Sequence, residues 1–355
     1  MSIERGGLGF LKAGGTPYEI GLQLGRYGAE SARTHLVSTA AWRSVMAFRD
    51  DPRVVAMRAL VEDRAPAPWQ EIRGLADGLG LPVDDVFLWN CRGDVWAMAP
   101  DGCTTVQIPG DQPVIAHNED GDPRLRGHCA LAQIRSPGGP AYAAFVYPGS
   151  IPGHTFAATE AGLVLTVNNL RARGAGAGLP RMVLGRMVLD CATLDEAIRL
   201  VETSERAGAF HFTLAQRGDR RLVSLEFSHA RCSAIVIERP SCHANHQIHR
   251  ALAAELQVIT DSSAARQRRG DEIILNSGGG PIDPLAILWD RSNPALPVHR
   301  EHPDDPDNEN TLATAVFHVG QEAVEWRVHD RADARSRYRL VDVQLKNDEL
   351  FSTAN

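Results

Sequence analysis

The stretch Asp101-Gly102-Cys103-Thr104-Thr105, followed by Ala116-His117-Asn118-Glu119-Asp120, divides the chain into two kinds of sequence. The segment before it is patterned mainly as helices. From Thr104 onward the pattern is mainly of strands. Cys103 is therefore read as the first residue of a second portion. The chemistry of the pair gives that position its meaning. A Cys103 thiol that attacked the Gly102 carbonyl would turn the peptide into a thioester, which water would cleave. Gly102 has no Cβ, so its carbonyl is open to attack and its backbone is free to adopt unusual angles. The products would be chains 1–102 and 103–355. Cys103 would then carry a free α-amine with a pKa of roughly 8. That amine would take the proton from its own thiol, making nucleophile and base one residue. Taken without its neighbours, a Gly-Cys step is more commonly a buried structural cysteine at a strand start.

The whole chain sets the bounds. Its 355 residues are 43% hydrophobic and 23% charged, which is globular composition rather than disorder. The net charge of −7 is dispersed, with no basic stripe to suggest nucleic acid. No apolar run reaches the ~18 residues of a membrane helix. Met1-Ser2-Ile3-Glu4-Arg5-Gly6 lacks the apolar core of a signal peptide, so the expected location is cytoplasmic. The six cysteines are scattered without a CxxC pair, which fits neither a disulfide framework nor a zinc ribbon.

Along the chain, Thr16-Pro17-Tyr18-Glu19 is a helix start with a capping box. Gly21, Gly25 and Gly28 form a stripe on that helix along which another element would approach closely. Further helices are expected to about Phe48, over 54–63 and over 68–80, the last preceded by a break at Ala65-Pro66-Ala67-Pro68. Strands are expected over 104–108, 113–117, 130–134, 141–147, 155–158 and 163–167, with antiparallel strands again at 210–215, 221–227 and 233–238. Ser262-Ser263 opens a helix whose Arg266, Arg268 and Arg269 read as a solvated face. Residues 311–319 and 322–328 read as a hairpin after the loop His302–Asn310. No repeat or long linker divides the chain, so one compact domain, 1–355, is expected.

Taken together, these segments resemble the acyl-coenzyme A:6-aminopenicillanate acyltransferases, a family of N-terminal-nucleophile (Ntn) hydrolases that self-cleave between such a Gly and Cys. The resemblance rests on Asp101–Thr105 as the processing site, Gly15–Gly25, Glu71–Gly80 with Val86–Asn90, and Ala116–Asp120. It continues through Glu160–Leu163, Asn168-Asn169-Leu170, Leu179-Pro180-Arg181 and His243-Ala244-Asn245-His246. Relatives of the acyltransferases include hydrolases of β-alanyl amides and of conjugated bile salts. The fold implied is α+β, a four-layer αββα sandwich of antiparallel sheets with a mainly helical N-terminal segment.

The resemblance also implies roles. Cys103 would be the autoproteolytic and catalytic nucleophile, cut from Gly102. Asp120 would hold the Cys103 amine or orient the thiol. Asn245 would supply an oxyanion-hole amide. Asn168, with Asn169 as an equal alignment, would be a second polar group near the substrate carbonyl, and Asn118 and His117 would support the site. His117 stands where bile-salt hydrolases have an arginine. The late strand, Thr311–Ala315, lacks the arginine often found near its start in the family, and Gln247 replaces an aromatic. Read from the residues alone, Asn118-Glu119-Asp120 is also a turn and Asn245 a strand-end cap. His243, His246 and His249 would crowd one side of a helix, but no convergent carboxylate or cysteine motif accompanies them, so no metal is expected. The reaction implied is acyl transfer from a small-molecule amide or thioester to water, without a cofactor. A coenzyme A-dependent N-acyltransferase is the alternative, with Arg171, Arg173 and Arg181 as candidate cations. An unprocessed, non-catalytic binding protein on the same fold is the alternative of another class. The processed chains would stay associated, and a homo-oligomer is left open; no nucleic-acid or membrane partner is expected.

Overall fold

The computed structural model describes residues 7–99, 102–301 and 308–346. Asp101 of the junction motif and residues 302–307 of the late loop lie outside the described residues. The first part of the chain is helical, as its periodicity predicts: α1 (Pro17–Thr34), α2 (Ala40–Met46), α3 (Pro52–Arg64), α4 (Pro66–Leu79), α5 (Val83–Asn90) and α6 (Arg92–Val95). Thr16 and Glu19 form the expected capping box on α1. The helix before the Ala65–Pro68 segment ends there as expected, at the non-helical Ala65, and the next begins at once. Pro66 and Pro68 sit in the first turn of α4, where a missing N–H costs nothing and the fixed φ suits a helix.

The glycine stripe of α1 packs on a second one in α4. A Cβ on Gly21 would lie 1.9 Å from the Glu71 carbonyl oxygen, and one on Gly74 would lie 1.9 Å from that of Tyr18. Gly25 and Gly78 meet in the same way one turn further on. The two backbones therefore touch, which no side chain at these positions would permit.

Fifteen strands form two sheets among the described residues. The first holds β1 (Gly9–Gly14), β4 (Ala130–Arg135), β5 (Tyr142–Val146), β6 (Phe156–Thr159), β7 (Leu163–Asn169), β8 (Phe210–Gln216), β9 (Leu222–Phe227) and β10 (Cys232–Val236), in that order. The second runs β11 (Ser241–His243), β2 (Gly102–Ile108), β3 (Val114–Gly121), β12 (Asn310–Val319), β13 (Val324–His329), β14 (Tyr338–Val341) and β15 (Gln344–Lys346). All pairings are antiparallel except β1 with β4. The sheets are thus antiparallel as expected but for that one edge pair, which adds a strand the sequence pattern did not announce. Helices α7 (Arg181–Val188) and α8 (Leu194–Thr203) join α1–α6. Helices α9 (Asp261–Asn276) and α10 (Pro284–Leu288) lie on the far side.

Strand alternation builds the layers. Ala130, Ala132 and Ile134 of β4 pack with Ile20, Leu24 and Leu75 of the helical layer, whereas Leu131 between them packs with Ile115 and Phe317 of the other sheet. On β12, Ala315 and Phe317 face the first sheet, and Val316 meets Ile287 and Leu288 of α10. The result is the four-layer αββα sandwich. No helix of the described residues is long and apolar enough to cross a membrane.

The helix contact yields a stability test. Gly74→Ala is expected to destabilise the fold by about 2–3 kcal/mol, despite the ~1 kcal/mol that alanine gains in helix propensity. Urea unfolding of the variant beside wild type checks it. An unchanged midpoint would mean that α1 and α4 are not in backbone contact.

Candidate active site

Strands β2 and β3 are in register as Gly102↔Asp120, Cys103↔Glu119, Thr104↔Asn118 and Thr105↔His117. Directly opposed residues share a face, and successive residues alternate. Cys103, Thr105, His117 and Glu119 therefore point between the sheets. Gly102, Thr104, Asn118 and Asp120 point toward α9 and α10. The residues 118–120 continue the strand rather than forming a turn.

Cys103 is 3% exposed and is held from three sides. Its backbone N–H donates to Asn245 Oδ1 at 3.0 Å. Asn245 Nδ2 lies 3.4 Å from Cys103 Sγ and donates to the Asn169 carbonyl at 3.1 Å. Arg266, from α9, donates through one terminal nitrogen to the Cys103 carbonyl and to Thr104 Oγ1 at 2.9 Å, and through the other to Asn245 Oδ1 at 2.6 Å. Two donors on Oδ1 fix the Asn245 amide so that its N–H group faces the sulfur. Burial, with the Glu119 carboxylate next, pushes the Cys103 thiol well above its ordinary range; hydrogen bonds from the Asn169 backbone and Asn245 act against that shift.

On the other face, Asp120 Oδ1 accepts from Thr311 Oγ1 at 2.6 Å, while Oδ2 stands 3.7 Å from Arg300. Among the described residues Asp120 Oδ2 accepts no hydrogen bond, although it is buried. Arg300 binds Glu309 at 2.6 Å. Gly102 lies against this group: a Cβ there would be 2.2 Å from Glu309 Oε2 and 2.7 Å from Arg300. A side chain at 102 would thus displace the ion pair beside Asp120.

The remaining expected residues divide. His117 comes to the site, where Cys103, His117 and Glu119 place one donor atom each within 4.8 Å of one another. Burial holds His117 down to about 3, so its ring is neutral. Asn168 does not reach the thiol. Its Oδ1 accepts from Thr105 and meets His211 Nδ1, and its Nδ2 donates to the His243 carbonyl. The neighbouring Asn169 is the residue that borders Cys103. Asn118 ties β3 to α10 through the Leu288 carbonyl at 2.6 Å and accepts from Thr314, on the face away from the sulfur. His243, His246 and His249 lie on β11 and the following loop rather than on a helix, and hydrogen bonds disperse them to Glu226, Ser263 and Ser224.

Three contributors went unread in the sequence: Arg266, Arg300 and Glu119. Arg266 belongs to a buried stripe of α9 with Ser262, Ser263, Gln267 and Gly270, while Arg268 is exposed and Arg269 partly so. The solvated-face reading of Arg266 is thus corrected. The helical spacing of Ser262, Arg266 and Gly270 was the available signal. Arg300 supplies, from the segment before β12, an arginine beside Asp120 that the start of β12 itself lacks.

Residues 108–333 match the model of the acyl-coenzyme A:6-aminopenicillanic acid acyl-transferase family. A curated relative, the beta-alanyl-dopamine/carcinine hydrolase of Drosophila melanogaster, is 22% identical and aligns over 92% of this chain and 94% of its own length. Among solved structures, a variant of conjugated bile acid hydrolase from Clostridium perfringens aligns over 67% of this chain and 92% of its own, with a TM-score of 0.41 and 9% identity.

The buried histidines predict acid lability. His117 and His211 are both held below their ordinary 6.5 by burial, His211 also by neighbouring His243 and His249. Below about pH 6.5 the unfolded chain therefore binds protons that the folded chain does not, and stability falls as pH falls. Each ring contributes up to ~1.4 kcal/mol per pH unit in that window. Urea midpoints at pH 7, 6 and 5 should decline in order. A flat series would overturn the assignment of neutral buried rings.

Proposed function

The chain belongs to the acyl-coenzyme A:6-aminopenicillanic acid acyl-transferase family, and from that premise we propose that it is a self-processing cysteine amidohydrolase. Cys103 attacks the Gly102 carbonyl, and cleavage leaves chains 1–102 and 103–355. The new α-amine then serves the thiol as base and later protonates the leaving amine. In turnover, Cys103 attacks the carbonyl of a small-molecule amide, and water resolves the acyl-enzyme.

The observation that carries this reading is the clamp on Cys103. Asn245 directs an N–H at the sulfur's surroundings from a position fixed by Arg266 and by the Cys103 backbone. Such a preset donor stabilises an oxyanion without reorganising as charge develops. Asp120 supports the same reading from the opposite face. Its buried Oδ2, next to Gly102, is a seat for the ammonium that cleavage would create. On the inter-sheet side, Tyr147 donates to Glu119 and also lines a pocket with Leu36, Trp89 and Leu125, closed by the His35–Asp122 pair at 2.7 Å. Arg92 lines the same pocket, so its apolar walls suit the apolar part of an amide and its charges are mixed.

The family's description favours a second reading, transfer of the acyl group from coenzyme A to an amine. Its cations are fewer than the sequence implied. Arg181 is buried and committed to Asn169 Oδ1 and the Leu170 and Ala209 carbonyls, and Arg171 is buried as well, leaving Arg173 exposed. Activity that requires a thioester donor would select this reading over hydrolysis. The non-catalytic alternative would be selected by a wild-type chain that stays whole and turns over no amide.

Denaturing intact mass of wild type beside Cys103→Ala is the first test. Two wild-type species broken between Gly102 and Cys103, with one whole variant chain, are expected. A whole wild-type chain would overturn the self-processing reading. Asn245→Ala is expected to lower amide turnover by about 10²–10³-fold, measured by release of the amine. Loss of less than tenfold would remove Asn245 from the oxyanion role.

A further inference from the structure

Before the cut, Cys103 has no amine. Its nitrogen is an amide N–H that donates to Asn245 Oδ1 at 3.0 Å, so it has no lone pair for the thiol proton. The base of the mature enzyme is therefore missing at the one step that creates it. We propose that Glu119 and His117 together form the base that takes the Cys103 thiol proton in the uncut chain. This rests on the self-processing reading above and assigns its proton acceptor.

The protons around the pair can be placed by following the hydrogen bonds inward. Asn168 Nδ2 donates to the His243 carbonyl at 3.1 Å, which fixes that amide and leaves Oδ1 to Thr105 and His211. Thr105 Oγ1 therefore spends its proton on Asn168, at 2.7 Å. It can only accept from His117 Nδ1, 2.8 Å away, so the ring proton is on Nδ1. His117 Nε2 is left as an acceptor, and it faces Glu119 Oε2 at 3.2 Å. A bare nitrogen and a carboxylate oxygen repel, so one proton is shared between them. Tyr147 donates to the other carboxyl oxygen, Oε1, at 2.8 Å and holds the group in place. Cys103 Sγ lies within 4.8 Å of the pair's donor atoms, a span crossed directly or through one water.

The step balances without an added reagent until hydrolysis. The thiol proton passes to Glu119 as the shared proton moves onto His117 Nε2. Sγ bonds to the Gly102 carbonyl carbon, whose oxygen becomes the oxyanion. The pair then gives one proton to the Cys103 nitrogen, the C–N bond breaks, and the oxyanion collapses to a thioester beside a free amine. The pair is back to one shared proton. Water adds to the thioester, the C–S bond breaks, and Gly102 leaves as a carboxylic acid with the thiol restored. From then on the α-amine is available as base.

The test follows cleavage of freshly synthesised full-length chain by intact mass. Glu119→Gln and His117→Asn, each checked for a wild-type-like urea transition, are expected to slow cleavage by about 100-fold or more. Their residual rate should rise about tenfold per pH unit, because hydroxide must then make the thiolate, while wild type climbs less steeply. Thr105→Val, which removes the acceptor that holds the proton on His117 Nδ1, should also slow the cut, and Thr105→Ser should restore it. This arm stays readable where a substitution at 117 or 119 unfolds the chain. Wild type that cuts alongside folded Glu119→Gln and His117→Asn chains cutting at the same rate would overturn the assignment and leave self-processing intact. Wild type that never cuts would overturn both. Arrest of the wild-type cut by a chelator would overturn the pair as a proton acceptor, by making it a metal ligand set.

Discussion

Everything at the junction depends on one geometric constraint, that a β-strand turns successive side chains to opposite faces. At Gly102-Cys103 this sends the sulfur between the sheets and leaves the glycine facing α9 and α10. The partner strand repeats the division, with Glu119 opposite Cys103 and Asp120 opposite Gly102. The two carboxylates closest to the junction thus serve different sides of it. Arg266 spans them: it approaches from the helix layer, yet it orients Asn245, whose amide reaches the sulfur. A helix residue with three acceptors in two elements fixes the strand, the loop and the thiol relative to one another.

The space between the sheets is correspondingly split. One half is apolar, with Leu131, Phe145, Phe156, Phe317 and Trp326. The other is a hydrogen-bonded array of Thr105, Gln107, Asn168, His211, Thr213 and Ser224. Buried polar groups of this kind are costly unless satisfied, and here they satisfy one another. The array also positions the Asn245 loop. Glu226 accepts from His243 and from the backbone of Ile248 and His249, pinning the loop on both sides of Asn245, and the His211 ring stacks on His243 at 3.5 Å. The polar half therefore serves as the frame that holds Asn245 in place.

What the sequence made legible was whatever is encoded locally. The Thr16–Glu19 box and the Gly21–Gly25 stripe each state their purpose within a few residues. Pairing over distance was not legible. β1 has no turn to announce it, because its partner β4 is far along the chain and parallel. The choice between Asn168 and Asn169 is a matter of register, and a slip of one residue reverses the face. Arg266 was hidden for a different reason: a polar helix stripe looks solvated until another polar surface is known to cover it. The histidines of the 243–249 segment would share a side only on a helix, and pairing of β11 with the β2 edge makes the start of that segment a strand instead.

β1 carries a further consequence. It comes from the N-terminal segment, yet it forms an edge of the first sheet by pairing with β4 along its whole length, from Gly9↔Ala130 to Gly14↔Arg135. Gly102, at the other end of the same segment, is already paired into the second sheet. A chain cut after Gly102 would consist of two polypeptides sewn together at both ends of the shorter one. Dilution would not part them, and only melting would. Melting would in turn be one-way, since separated pieces must find each other before either sheet can close, so the molecule would carry the memory of having once been a single chain.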